Sequence, residues 1–215
     1  MKHCKVIGQN ISWYRRQKGL RQLDVSEATG INYRYYQDIE AGKKNLTLQT
    51  LKKICDFLEV SLDDIVNFCR LNISHDLEDF IKLNKNRLDN LSDEISISIR
   101  DRNRNFKYAN KVFLNINKTT IDQVINQPVD KYLTNSSEEV VNSILKKHEK
   151  GLTCTQLIVT LKREGKKDLF NVYVYPVSLI FENKVVGVLG AFVEVEKHDK
   201  NYFAELQDKL INAFL

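Results

Sequence analysis

The sequence predicts two consecutive folds: an all-α five-helix domain, and behind it an α+β domain in which an antiparallel sheet carries helices on one face. Three observations lead there. From Val6 to about Phe68 the chain reads as short apolar-periodic segments separated by single turn residues. After Ser92 the period changes, with Ile95, Ile97 and Ile99 alternating with polar residues. Two short helical segments then precede three long strand-like runs, and a β(αα)βββ order implies an antiparallel sheet.

Each helix of the first part carries its own start or stop signal. Ile7, Ile11 and Tyr14 form a stripe on the first helix, which Gly19 closes in a left-handed cap. Gln22 to Thr29 make the second, stopped at Gly30. Asn32 suits the N-cap of a third helix running to Glu40, with Gly42 at its C-cap. Thr47 caps a fourth, on which Leu48, Leu51, Ile54, Cys55 and Leu58 recur at helical spacing. Ser61 and Asp64 read as a capping box for a fifth, Leu62 to Phe68.

Between Ser74 and Leu91 a charged helical stretch places Leu77, Ile81, Asn84, Leu88 and Leu91 four and three apart. This heptad-like seam suits either a dimer-forming linker or a helix packed on a neighbour. Ile95 to Ile99, the turn-rich DRNRN and Phe106 to Tyr108 read as a hairpin. Thr120 with Gln123, and Ser136 with Glu139, read as capping boxes, the second opening a helix that ends at Gly151. Strands follow at 153–162, 169–181 and 184–195, with turns at Glu164-Gly165-Lys166 and Glu182-Asn183, and a last helix puts Phe203, Leu206, Leu210 and Phe214 on one stripe. The expected divisions are 1–70, a linker helix over 71–91, a domain over 92–197 and a C-terminal amphipathic helix over 198–215.

Composition narrows the class of protein. A hydrophobic fraction of 42% with 28% charged residues is ordinary for a soluble globular chain. There is no apolar run of membrane-spanning length and no signal peptide pattern at the N-terminus, so a cytoplasmic protein is expected. Cys4, Cys55, Cys69 and Cys154 are scattered without a CxxC pair, which suggests reduced thiols rather than zinc or a disulfide framework. Residues 1–46 carry nine Lys/Arg against four Asp/Glu, while residues 71–215 carry 21 against 20. The basic surplus in the helical part suits a polyanionic partner there.

The run Gln22-Leu23-Asp24-Val25-Ser26-Glu27-Ala28-Thr29-Gly30-Ile31-Asn32, followed by Ile39-Glu40-Ala41-Gly42, resembles the Cro/CI-type (XRE) helix-turn-helix family of transcriptional regulators. The likeness runs in one register from about Val6 to Val66 and closes on Leu58-Glu59-Val60-Ser61-Leu62-Asp63-Asp64. It implies that double-stranded DNA, as an operator, is the partner, and that the third helix enters the major groove at its N-terminal end. Base readers then fall at Tyr33, Arg34, Gln37 and Asp38, with Arg34 suited to a bidentate contact to guanine and Gln37 to adenine. Tyr36 is expected in the core. Arg21 and Gln22, at the start of the second helix, and Lys43 and Lys44, after the third, are expected on phosphates. The same resemblance implies a structural ion pair between Arg15 and Glu40.

Ile97-Ser98-Ile99-Arg100-Asp101 with Phe106-Lys107-Tyr108-Ala109-Asn110, and Phe113, Ile116, Thr120 and Pro128 behind them, resembles a PAS sensor domain over about 92–196. Arg104, Lys118 and Asn126 depart from that pattern, standing where glycine is frequent. The resemblance implies a half-barrel that either encloses a small organic ligand in a pocket walled by the central strands or serves for dimerisation. No flavin is expected, because Val124 to Leu133 lacks the cysteine of flavin photoreceptor relatives. Haem is not expected either: His148 sits in Lys146-Lys147-His148-Glu149-Lys150, which suits a solvated helix face better than an axial ligand.

No catalytic residues and no metal ligands are assigned. The single Ala-Gly bond, Ala41-Gly42, lies inside the helix-turn-helix, which argues against the autoproteolysis of some relatives, and no other enzyme pattern appears. A homodimer is expected, since one small helix-turn-helix reads few bases and two apolar stripes are at hand. The alternative is a protein-binding module or antitoxin-like partner whose second domain holds another protein.

Overall fold

The computed structural model describes residues 2–67, 70–149, 157–162, 169–195 and 202–215, with the side chains of 144–149, 157, 203 and 204 outside that description. The chain forms two compact units, one over Met1–Phe68 and one over Cys69–Lys150 and Cys154–Phe214.

The first unit is five helices: α1 Lys2–Gln17, α2 Gln22–Thr29, α3 Tyr33–Glu40, α4 Leu48–Leu58 and α5 Leu62–Val66. Their starts follow the local chemistry. Asn32 Oδ1 accepts from Tyr35 N at 3.1 Å, Thr47 Oγ1 accepts from Thr50 N at 3.1 Å, and Ser61 and Asp64 cap each other reciprocally. The third helix is capped at Ala41, with Gly42 one residue beyond in the left-handed region at φ 68°. The fifth ends at Val66, where Asn10 Nδ2 donates to the carbonyls of Ile65 and Asn67, both at 2.8 Å, and so fastens α1 to its end. The Phe68 end expected for it lies outside the described residues. Ile11, Val25, Tyr36, Ile39, Ile54, Leu58 and Ile65 form the fully buried centre. Helix α1 comes so close to α3 that a methyl on Gly8 would stand 2.5 Å from the Ile39 carbonyl oxygen.

The second unit contains β1 Arg70–Asn72, α6 Leu77–Asp89, β2 Ser96–Asp101, β3 Phe106–Ala109, α7 Lys111–Asn117, α8 Ile121–Val124, a 3-10 turn Val129–Tyr132, α9 Asn135–Glu149, β4 Leu157–Lys162, β5 Leu169–Phe181, β6 Lys184–Glu194 and α10 Tyr202–Phe214. The strands lie in the order β1-β5-β6-β2-β3, with β4 pairing the first half of β5. The expected antiparallel sheet is thus corrected to a mixed one, because β1 pairs in parallel with Ser178 to Ile180 of β5. Three residues are too few to show a period of two, which is why this strand is silent in the sequence. The β5–β6 hairpin turns at Glu182 and Asn183, both with positive φ, the geometry that matches strand twist.

Helices cover both sheet faces rather than one. Helix α6 puts Leu77 against Gly187 of β6, where a methyl would meet the leucine at 3.0 Å, and α10 buries Leu206, Leu210 and Ile211. Phe80 of α6 and Phe214 of α10 pack with tilted rings, their centroids 6.0 Å apart, and Arg87 lies over the Phe214 ring. On the opposite face, α7, α8, the 3-10 turn and α9 enclose a cluster built on Phe106, Phe113, Val124, Tyr132, Val159 and Phe192. Asn110 joins the two layers: Oδ1 accepts from Ile97 N and Phe113 N, and Nδ2 donates to the Ile95 carbonyl. Helix α9 starts at Asn135, two residues before the start that an N-cap at Ser136 implies, and Thr134 Oγ1 accepts from Ser137 N in the capping role. The helix end at Gly151, the turn at 164–166 and Cys154 lie outside the described residues, as do the side chains of His148 and Phe203. Among the described residues, Cys4 and Cys55 are free thiols, and no helix is long and apolar enough to cross a membrane.

Candidate nucleic-acid interface and interior cavity

Helix α3 divides its residues by the helical repeat. Tyr36 and Ile39, three apart, point inward and are 0% and 1% exposed. Tyr33, Arg34, Gln37 and Asp38 recur at intervals of three and four, so they share the other face. Tyr33 and Arg34 are exposed at its N-terminal end, while Gln37 and Asp38 are partly buried further along. Arg34 makes no ion pair among the described residues, whereas Asp38 faces Lys44 at 3.9 Å.

A buried network sets this helix against its neighbours. Glu40 Oε1 accepts from Arg15 Nε at 2.6 Å and from Tyr36 OH at 2.8 Å. Its Oε2 accepts from Arg15 Nη2 at 2.9 Å and Gln22 Nε2 at 2.8 Å. Arg15 Nη1 donates to the Leu20 carbonyl at 2.7 Å, so this fork ties α1, the α1–α2 turn and α3 together. Burial pushes the Glu40 carboxyl up, but the hydrogen bonds from Arg15, Gln22 and Tyr36 outweigh it and hold the group below the usual carboxylate range. The Arg15 guanidinium is raised by the same hydrogen bond against its own burial, and the Tyr36 hydroxyl is raised by burial and by Glu40.

The residues expected on phosphates flank α3 on two sides. Gln22 is at the start of α2, with one amide hydrogen on Glu40 and its Oε1 3.5 Å from Gln37 Nε2. Arg21 is exposed and lies on Asp24, with Nη2 to Oδ1 at 2.7 Å; that contact holds the Asp24 carboxyl low and the Arg21 guanidinium high. Lys43 and Lys44 are exposed beyond the end of α3. The structure thus joins Arg15, Glu40, Gln22 and Gln37 in one chain of contacts, and leaves Arg34 and Lys43 outside it.

The second unit encloses a cavity between the sheet and α7 to α9, with about 60 Å³ open to the centres of water molecules. That is room for a few waters or a small organic group. Phe106, Phe113, Tyr132 and Phe192 wall it with rings packed edge to face, 5.2 to 5.9 Å apart. Three polar residues reach the apolar lining: Ser98 and Arg100 from β2 and Asn117 from α7. Sequence reasoning assigned none of them. The signal was the alternation Ser96-Ile97-Ser98-Ile99-Arg100, which shows two faces without telling which is interior; here both are, since Ser96 and Ser98 are 0% and 4% exposed.

The family model described as Helix-turn-helix matches residues 11–65. The chain is 36% identical over 62 residues to an uncharacterized HTH-type transcriptional regulator, y4dJ, of Sinorhizobium fredii, covering 29% of this chain and 80% of that protein. The second unit has the fold of a variant of RsLOV, at a TM-score of 0.51 and 12% identity, over 62% of this chain and 86% of that one. It is also similar to the PAS domain of a Colwellia psychrerythraea protein, at a TM-score of 0.46 and 19% identity, over 55% of this chain and 99% of that domain.

Proposed function

Because the chain belongs to the HTH-type transcriptional regulators and carries a PAS-like unit behind its helix-turn-helix, we propose that it is a homodimeric, sequence-specific operator-binding protein whose second unit senses a small organic molecule. In this reading α3 lies in the major groove with Tyr33, Arg34, Gln37 and Asp38 toward base edges. Gln22, Lys43 and Lys44 grip phosphates on either side, and Arg21 joins them by exchanging Asp24 for a phosphate. The observation that carries it is Arg34: an exposed guanidinium without an ion pair among the described residues, on a helix whose opposite face is anchored by the Arg15–Glu40 network.

The test separates reading from gripping. An operator is selected from a random duplex library, and binding is titrated on it and on a scrambled duplex at several salt concentrations. Arg34→Ala is expected to lose about 1–3 kcal/mol of discrimination at one base pair per half-site. Lys43→Ala is expected to weaken both duplexes alike and to lower the salt slope by about one. Equal loss on both duplexes for Arg34→Ala would assign it to the backbone and sink its reading role.

A further inference from the structure

The cavity of the second unit has one feature that an apolar core does not need. Arg100 leaves β2 on the same side as Ser96 and Ser98, and among the described residues its guanidinium makes neither a hydrogen bond nor an ion pair. Its Nε is fully enclosed without a partner. The carboxylate whose charge acts on Arg100, Asp130, is itself held by Arg104, which also donates to Asn142 Oδ1 at 2.5 Å. Opposite Ser98, Gly190 leaves the sheet surface bare, and a methyl there would stand 3.7 Å from Arg100 Nη2 and 3.5 Å from Ser98 Oγ. Across the cavity, Asn117 donates to the Phe113 carbonyl and keeps a buried Oδ1 with no partner among the described residues.

Arg100 is half-buried, with its Nε enclosed and unpaired among the described residues, and a planar guanidinium fork matches a carboxylate in both spacing and charge. The remaining lining, with Phe113, Val129, Leu133, Val174 and Phe192 among it, accepts only an apolar body. We infer that the ligand of this unit is a small organic carboxylate, its acid group on Arg100 and its short apolar body among the aromatic rings, with Asn117 Oδ1 free to accept from a hydroxyl on that body. Size follows from volume: an apolar cavity of about 150 Å³ takes benzene, so the room here suits a shorter chain or requires modest opening for an aromatic acid. The guanidinium keeps its charge at neutral pH, since burial and Arg104, partly offset by Asp130, push it down only to about 10.

The inference rests on the sensing reading above, and the experiment distinguishes the two. Butyrate and benzoate are titrated against the full chain at pH 7 by ligand-observed NMR and thermal shift, beside butyramide and benzamide, which match them in shape without the charge. At least one acid is expected to bind about tenfold or more tightly than its amide. Arg100→Met is expected to remove the preference, Arg100→Lys to weaken it by loss of the fork, and Gly190→Leu to abolish binding of acid and amide together by filling the cavity. Amides that bind as well as the acids, in a manner lost in Gly190→Leu, overturn the carboxylate inference and leave a sensing pocket standing. If neither class binds the unaltered chain, the carboxylate inference falls. The acid-against-amide comparison needs no variant, so a poorly folding Arg100→Met does not protect the idea.

Discussion

Glu40 ties three parts of the first unit together through a single side chain. It receives four hydrogen bonds from three residues, and removing one member of a buried pair costs about 3–5 kcal/mol because the other charge stays behind. Its folded carboxyl is held below the unfolded value, so the folded state binds fewer protons there. That stabilisation is complete above the unfolded carboxylate pKa of about 4.3 and is lost as pH falls through the folded value. Glu40→Gln is expected to lower the melting temperature at pH 7 and to flatten the loss of stability on acidification. Thermal melts from pH 7 to 3 check it; a variant with the same slope as the parent would place the acid response elsewhere. At Arg104, Lys118 and Asn126, where PAS-type sequences often have glycine, the backbone keeps positive φ at 68°, 51° and 61°. The chain therefore retains the left-handed turns without the residue that adopts them most readily.

At the scale of elements, that choice has a measurable consequence at the end of α7. Lys118 caps the helix in the left-handed region, is exposed and has no ion pair among the described residues. A side chain in that conformation costs about 1–2 kcal/mol that glycine avoids. Lys118→Gly is expected to stabilise the second unit by about 1 kcal/mol, raising its melting temperature by about 2–4 °C. Unchanged or lower stability in calorimetry would show that the cap is unstrained. Arg104→Gly is a poorer test, because it also removes the contacts to Asp130 and Asn142. Among the helices, the capping signals at Asn32, Thr47 and Ser61 were legible because they involve residues three apart. The strand β1 was not, because its partner lies more than 100 residues away along the chain.

For the whole molecule, the two apolar stripes that pointed to pairing are largely covered within one chain. Leu77, Phe80 and Leu88 of α6 are buried, Phe80 meets Phe214, and Leu206, Leu210 and Ile211 are buried on α10. The proposed homodimer then needs another surface, and among the described residues of the second unit Leu83, Ile158 and Leu169 are the most exposed apolar side chains, at 65%, 58% and 62%. The reason for pairing remains the short reach of one recognition helix along an operator. Light scattering is expected to give about 50 kDa, twice the 25.1 kDa chain, and the selected operator is expected to be a near-palindrome with half-sites one helical turn apart. A 25 kDa particle, both free and on DNA, would exclude this.

The sequence by itself determined the five helices of the first unit, the outward face of α3 and the long β5–β6 hairpin, because each depends on periodicity, capping or turn chemistry within a few residues. It also pointed to a half-barrel with room for a ligand. Only the tertiary structure decided which side of β2 faces that room. Ile95, Ile97 and Ile99 would ordinarily mark the interior, and Ser96, Ser98 and Arg100 the solvent, as in a sheet covered once. Here α6 and α10 lie over one face and α7 to α9 over the other. A period of two then separates two interiors, an apolar one and one with a guanidinium in it, and no local pattern records the second layer of helices that makes the difference.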